Sequence, residues 1–180
     1  MKKTLIIYSS HYGYTKIYAE WIAEELKGDI HELKNIRGDL LTDYDIIILG
    51  SGLYAGRISG INLLVNNYEK IKRKKIIIFT CGLADISKTE NINAIKFRLK
   101  KVVPKNILEN INIFFLRGGI NYSKLSIIHK IMMWMMKNII IKKGLDKLNE
   151  EDKEFFDTYG KAIDFMDKNN IKEIIEYCKN

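Results

Sequence analysis

Short apolar runs rich in β-branched residues alternate along this chain with longer stretches patterned at helical spacing, and that alternation restricts the fold more than any other feature. A strand covered on both faces reads as a continuous apolar run, so five runs are expected as strands of a parallel sheet with helices on its two faces. They are Thr4–Ser9, Asp29–Leu33, Asp45–Gly50, Lys75–Thr80 and Ile111–Leu116. Between them, Ile17, Trp21, Ile22 and Leu26 recur at helical spacing, as do Leu64, Tyr68 and Ile71, and then Ile92, Ile95 and Leu99. A last helix is expected over Asp152–Asp167, with Phe155, Tyr159, Ile163 and Met166 turned inward. Right-handed crossovers leave few arrangements for such strands. The fold class is therefore α/β: a doubly wound five-stranded parallel sheet of order 2-1-3-4-5, with an apolar helical insertion after strand five, in a single domain over 1–180.

A chain of 180 residues can build a core without disulfides or a structural metal. Cys81 and Cys178 are far apart and have no metal-type pairing, so they are expected as free thiols in a reducing compartment, and no metal site is expected. The opening MKKTLIIYSS has too short an apolar stretch for a secretion signal, and the expected location is cytoplasmic. The net charge is +8. Its distribution is uneven, because no acidic residue falls between Glu109 and Asp146, whereas Arg117, Lys124, Lys130, Lys137, Lys142 and Lys143 all do. Lysine greatly outnumbers arginine among the basic residues, and arginine does most base recognition, so nucleic acid is not an expected partner.

In a doubly wound sheet the ligand crevice lies at the carboxyl ends of the strands, where strand order reverses between the first and third strands. Four loops face it: YSSHYGYT after strand one, SGLYAGRISG (residues 51–60), CGLAD (residues 81–85) and RGGINYSK after strand five. No GxxxxGK[ST] occurs, and Gly50, Gly52 and Gly56 have the wrong spacing for GxGxxG. The first loop offers the hydroxyls of Ser9, Ser10 and Thr15, a tight turn at Gly13, and the amides that open a helix. A helix start of this kind either cradles a phosphate or is simply capped. A receiver domain on this fold would carry a phosphoacceptor aspartate at the end of strand three. Here that place is Gly50-Ser51.

Ser10-x-x-Gly13-x-Thr15 after the first strand resembles the FMN-phosphate loop of flavodoxins. The opening YSSHYGYTKIYAEWIAEEL, the middle loop LGSGLYAGRISG and the later GGINYSKLSIIHKIMMWMMK together resemble the flavodoxin-domain branch that includes the menaquinone-dependent protoporphyrinogen oxidase. The resemblance implies a flavodoxin-like fold with FMN as cofactor. Ser9, Ser10, His11, Tyr12, Gly13, Tyr14 and Thr15 would surround its phosphate. Ser51, Gly52, Leu53, Tyr54, Ala55 and Gly56 would lie along one side of the isoalloxazine, Cys81, Gly82 and Leu83 would approach the other, and Asn121 and Tyr122 would border it. At His11 and Tyr12, where hydroxyl residues are common in the family, phosphate contacts would have to come from backbone amides or the Tyr12 phenol.

No nucleophile-and-base pair is evident and the three histidines are scattered, so no catalytic side chain is assigned and the chemistry is expected to reside in the flavin. The implied activity is an FMN-dependent oxidoreductase resembling protoporphyrinogen IX dehydrogenase (quinone). The alternative is a flavodoxin acting as a soluble electron-transfer carrier. Expected partners are a quinone, a porphyrinogen or a redox protein. The segment SIIHKIMMWMMKNIIIKK (126–143) is too short to span a bilayer and too apolar to stand bare. Its cover could be the protein's own core, a second subunit in a homodimer, or a peripheral contact at the inner face of the cell membrane.

Overall fold

In the computed structural model, which describes residues 2–54, 57–144 and 148–180, the five apolar runs pair as parallel strands. They are β1 (Thr4–Ser9), β2 (Asp29–Glu32), β3 (Ile46–Tyr54), β5 (Lys75–Gly82) and β6 (Ile111–Arg117), in the order β2-β1-β3-β5-β6. Only the two-residue β4 (Arg57–Ile58), antiparallel to β3, separates this numbering from the expected 2-1-3-4-5.

The helices divide between the faces. On one side α1 (Tyr14–Leu26) and α7 (Lys172–Lys179) bring Tyr18, Ala19, Ile22, Ile174, Ile175 and Cys178 against Ile6, Ile48, Ile77 and Phe79. On the other, α2 (Ile61–Ile71) and α3 (Thr89–Val102), followed by the short α4 (Lys105–Leu108), bring Leu64, Tyr68, Ile71, Ile95 and Leu99 against Leu5, Ile7, Ile47, Leu49, Ile76 and Ile78. Neighbouring strand residues such as Leu5, Ile6 and Ile7 thus point to opposite faces, yet none is exposed. Each such isoleucine contributes about 1.5–3 kcal/mol on burial.

The chain divides into two units, Met1–Gly118 with Met166–Asn180, and Gly119–Phe165. The second contains the antiparallel pair β7 (Gly119–Asn121) and β8 (Ala162–Asp164), with α5 (Ile127–Lys142) and α6 (Glu150–Thr158). Thus α5 is the expected apolar helix after the fifth parallel strand.

Three local expectations are corrected. The helix expected over Asp152–Asp167 starts at an Asn149 capping box and stops at Thr158, because Tyr159 is extended and Gly160 takes φ 79. Beyond it Ile163 pairs with Ile120 in a strand, so the apolar spacing of Phe155, Tyr159 and Ile163 crosses a helix end. The buried stripe of α1 is Thr15, Tyr18, Ala19, Ile22 and Ala23, whereas Ile17 and Trp21 are only half-buried. The closing helix α7, absent from the sequence-based expectation, completes one face of the sheet.

Candidate functional site

Strand register lines up the carboxyl ends of the sheet. Ser9 lies beside Ser51, Gly52 beside Cys81, and Gly82 beside Arg117. The predicted loop residues Ser51, Gly52, Leu53 and Tyr54 therefore belong to an extended β3, and Cys81 and Gly82 to the end of β5. β3 outruns its expected end because Leu53 and Tyr54 pair with β4, and the buried Ser51 hydroxyl accepts the Ser59 N–H at 2.7 Å.

The first loop is built around Gly13, which caps α1 at φ 97, ψ −26. A Cβ there would meet no neighbouring atom, so the requirement for glycine is conformational rather than spatial. The Gly13 N–H donates to Ser10 Oγ at 3.0 Å, and Thr15 is buried in the first turn of the helix.

The next amides of the loop converge on a single oxygen. His11 N–H donates to Tyr54 Oη at 2.9 Å and Tyr12 N–H reaches the same atom at 3.4 Å. The Tyr54 ring makes edge contacts with His11 and Tyr12, at centroid separations of 5.7 and 5.8 Å, and its Cε2 would stand 2.5 Å from a Cβ built on Gly52. Tyr54 is therefore packed across the mouth of the first loop with its phenol oxygen at the loop's amides. Backbone N–H groups gathered on one oxygen beside a helix start form the arrangement that holds a phosphate oxygen, so the residues present fit a phosphorylated ligand.

The third loop is held by Arg117, the first residue of the RGGINYSK loop and a member of the acid-free stretch. Its Nε donates to Leu83 O at 3.1 Å, its Nη1 lies 4.0 Å from Asp85 Oδ1, and its carbonyl accepts the buried Tyr18 hydroxyl at 2.9 Å. Asp85 is held below the usual carboxylate range by the Ser87 N–H and hydroxyl, with Arg117 and Lys88 adding to the effect and burial opposing it. The sequence signal for Arg117 is its place at the head of the RGGINYSK loop, at a strand end that faces the crevice. The Cys81 side chain is buried, and Gly118 N–H ties back to Gly82 O at 2.7 Å. Thr80 Oγ1, also buried at this end of β5, has no hydrogen-bond partner among the described residues.

Ser9, Ser10, His11, Tyr12, Gly13, Tyr14, Thr15, Ser51, Gly52, Leu53, Tyr54, Cys81, Gly82 and Leu83 thus all sit at one end of one sheet. Ala55 and Gly56 lie outside the described residues. Asn121 and Tyr122 belong to the second unit, where Asn121 Oδ1 accepts the Ser123 N–H and hydroxyl, and the Tyr122 ring packs 5.0 Å from that of Tyr159. Burial and the neighbouring Tyr159 push the Tyr122 phenol up to about 12. Among the described residues no group of His, Cys, Asp and Glu side chains could hold a metal ion.

The family model described as flavodoxin domain matches residues 5–148, and the chain belongs to that family. A flavodoxin of Maridesulfovibrio salexigens is 31% identical over 116 residues, which cover 57% of this chain and 79% of the relative. An uncharacterized protein of Methanocaldococcus jannaschii is 35% identical over 82 residues, 44% of this chain, and the match spans only 55% of that protein's length. Among solved structures, two-electron reduced Megasphaera elsdenii flavodoxin is similar at 19% identity and a TM-score of 0.45, covering 62% of this chain and 82% of that one.

Proposed function

We propose that this protein is an FMN-binding oxidoreductase that acts on a quinone or a porphyrinogen, in the manner of the quinone-linked protoporphyrinogen IX dehydrogenase of flavodoxin type. The observation that carries the cofactor assignment is the convergence of the His11 and Tyr12 amides on Tyr54 Oη at the start of α1. The His11 and Tyr12 amides, with the hydroxyls of Ser10 and Thr15, would hold a phosphate oxygen at this helix start, which favours negative charge. FMN when bound supplies the hydride and one-electron chemistry. The residues of this chain orient and enclose it: Ser51–Tyr54 on one side, Cys81–Leu83 on the other, with Arg117 holding the third loop in place. The net charge of +8 favours an anionic reduced flavin and an anionic substrate. Segment 126–143 supplies a peripheral contact for the same protein.

The second reading is a one-electron carrier docking on a redox protein. It is favoured by the Maridesulfovibrio relative, itself a flavodoxin, which this chain covers over 79% of its length. Photoreduced holoprotein mixed with a panel of quinones, and oxidised holoprotein mixed with porphyrinogens, separates the two, because the carrier reading predicts no turnover with either.

The cradle itself is tested by fluorescence quenching of FMN and riboflavin. FMN should bind far more tightly. Ser10→Ala and Thr15→Ala should each weaken FMN by roughly tenfold or somewhat more, the effect of losing a hydrogen bond to a charged group, about 1.5–3 kcal/mol. Riboflavin should be indifferent to both changes. Equal affinity for FMN and riboflavin would leave the opening loop an ordinary helix cap.

A further inference from the structure

Helix α5 is arranged inside out. Its less exposed stripe carries Ser126, His129, Met133, Lys137 and Ile140, and of its residues only Ile140 is buried. Lys137 lies over the Tyr159 ring, Nζ 4.6 Å from the centroid. The opposite side carries Ile127, Ile128, Ile131, Met132, Trp134, Met135, Met136, Ile139 and Ile141, all exposed, Ile127 by 76%, Ile128 by 70% and Trp134 by 59%. At 3.6 residues per turn these side chains sweep an arc of roughly 220°. Isolated exposed apolar residues are ordinary, but a contiguous patch of this size marks an interaction surface.

Charge decides what covers it. Lys130 stands at one edge of the arc, Lys142 and Lys143 close its C-terminal end, and Lys124 precedes it in the turn before the helix. Lys143 is paired with Asp152 at 3.4 Å, and no acidic residue occurs along the chain between Glu109 and Asp146. A two-fold dimer through this face would set α5 against α5 and bring the lysines of one copy toward those of the other, at a cost from like charges. An anionic bilayer removes that conflict, since its interior takes the isoleucines and methionines, its interface suits Trp134, and its headgroups pair with the lysines. A pocket of about 460 Å³ lined by Tyr122, Ile127, Lys130, Ile131, Trp134 and Tyr159 opens on the same side of the helix, and Ile127, Ile131 and Trp134 are shared with the arc. None of the described helices is long and apolar enough to cross a membrane, so a helix docked on a bilayer through this face would lie in the interface plane.

We propose that α5 docks the protein on an anionic lipid surface through its exposed isoleucine, methionine and tryptophan face. The contact is independent of the flavin assignment and is read without it. Sedimentation with vesicles of phosphatidylcholine containing phosphatidylglycerol should carry down both apo- and FMN-loaded protein at low salt. Vesicles of phosphatidylcholine alone should bind far less, and about 1 M salt, where the screening length falls to about 3 Å, should release the protein. Lys130→Gln with Lys142→Gln should weaken binding by about 25-fold, at about fivefold for each lysine near the surface. Ile131→Ser with Met135→Ser should abolish binding while leaving the unfolding temperature and FMN affinity unchanged, because both side chains already face solvent. Trp134 emission should shift to the blue on the anionic vesicles. The proposal is overturned if the wild type does not sediment with anionic vesicles, if binding ignores lipid charge and salt, or if the chain proves to be a dimer that Ile131→Ser with Met135→Ser separates.

Discussion

Helices α1 and α5 have similar lengths and both are rich in large apolar residues, yet they use them in opposite ways. α1 turns Tyr18, Ala19, Ile22 and Ala23 into the sheet and leaves Lys16 and Glu20 outside, paired at 3.6 Å. α5 turns His129 and Lys137 toward the less exposed side and leaves nine large apolar side chains outside. The difference shows that apolar content measures how strongly a segment must be covered, while its cover depends on what lies beside it. For α1 that is a strand layer built from Ile6, Ile48 and Ile77. For α5 no described residue covers the outer face, and the lysines at its margins select a partner with negative charge.

The largest effect should come from the covered helix. Ile22 is fully buried, so Ile22→Ala should cost about 2–5 kcal/mol of unfolding free energy in a denaturant titration, by lost transfer energy and the cavity left behind. A cost below about 1 kcal/mol would mean that α1 does not share a packed layer with the sheet, and the contrast with α5 would collapse.

A smaller, pH-dependent effect should appear in the other helix of that layer. Burial pushes the Cys178 thiol up to about 11, against the pull of Lys75 and Lys2, whereas an unfolded thiol titrates at about 8.5. The folded state therefore keeps a proton that the unfolded chain gives up. This contribution is fully present below about pH 8.5 and is lost as pH rises through about 11, amounting to on the order of 3 kcal/mol. Wild type and Cys178→Ala compared by denaturation across that range should converge as the pH rises. A constant difference between them would show that the thiol ionises as freely in the folded protein as in the unfolded chain.

The smallest effect belongs to α5. Ile131→Ser in the absence of lipid should change unfolding free energy by no more than about 0.5 kcal/mol, because Ile131 is already half in water. A loss comparable to that of Ile22→Ala would show that the outer face of α5 is covered in the folded protein.

Much of the fold was legible because its signals are local and strong. Five apolar runs flanked by helical spacing admit few parallel arrangements, and the observed strand order is the one they favour. The opening loop was legible for the same reason, since Ser10, Gly13 and Thr15 lie within one turn of a strand end. The role of Tyr54 was not, because the amides it meets are more than forty positions away and its orientation depends on the pairing of β3 with β4. The hold of Arg117 on the third loop was not legible, because its partners, Leu83, Asp85 and Tyr18, belong to separate elements that only the sheet brings together. The false helix over Tyr159 and Ile163 arose because four apolar residues happen to follow a helical period across the turn at Gly160, and only pairing of β8 with β7 separates the two halves.

Residue order alone sufficed for the parallel sheet, the strand order and the place of the opening loop, since burial of β-branched runs and the chemistry of a helix start are read over a few neighbouring residues. Long-range packing decided which way α1 and α5 face, where the last helix lies and how Arg117 and Tyr54 meet the loops at the carboxyl end of the sheet. An amphipathic period specifies that a helix has a preferred side, but the direction of that side is settled by distant atoms that compete to cover it.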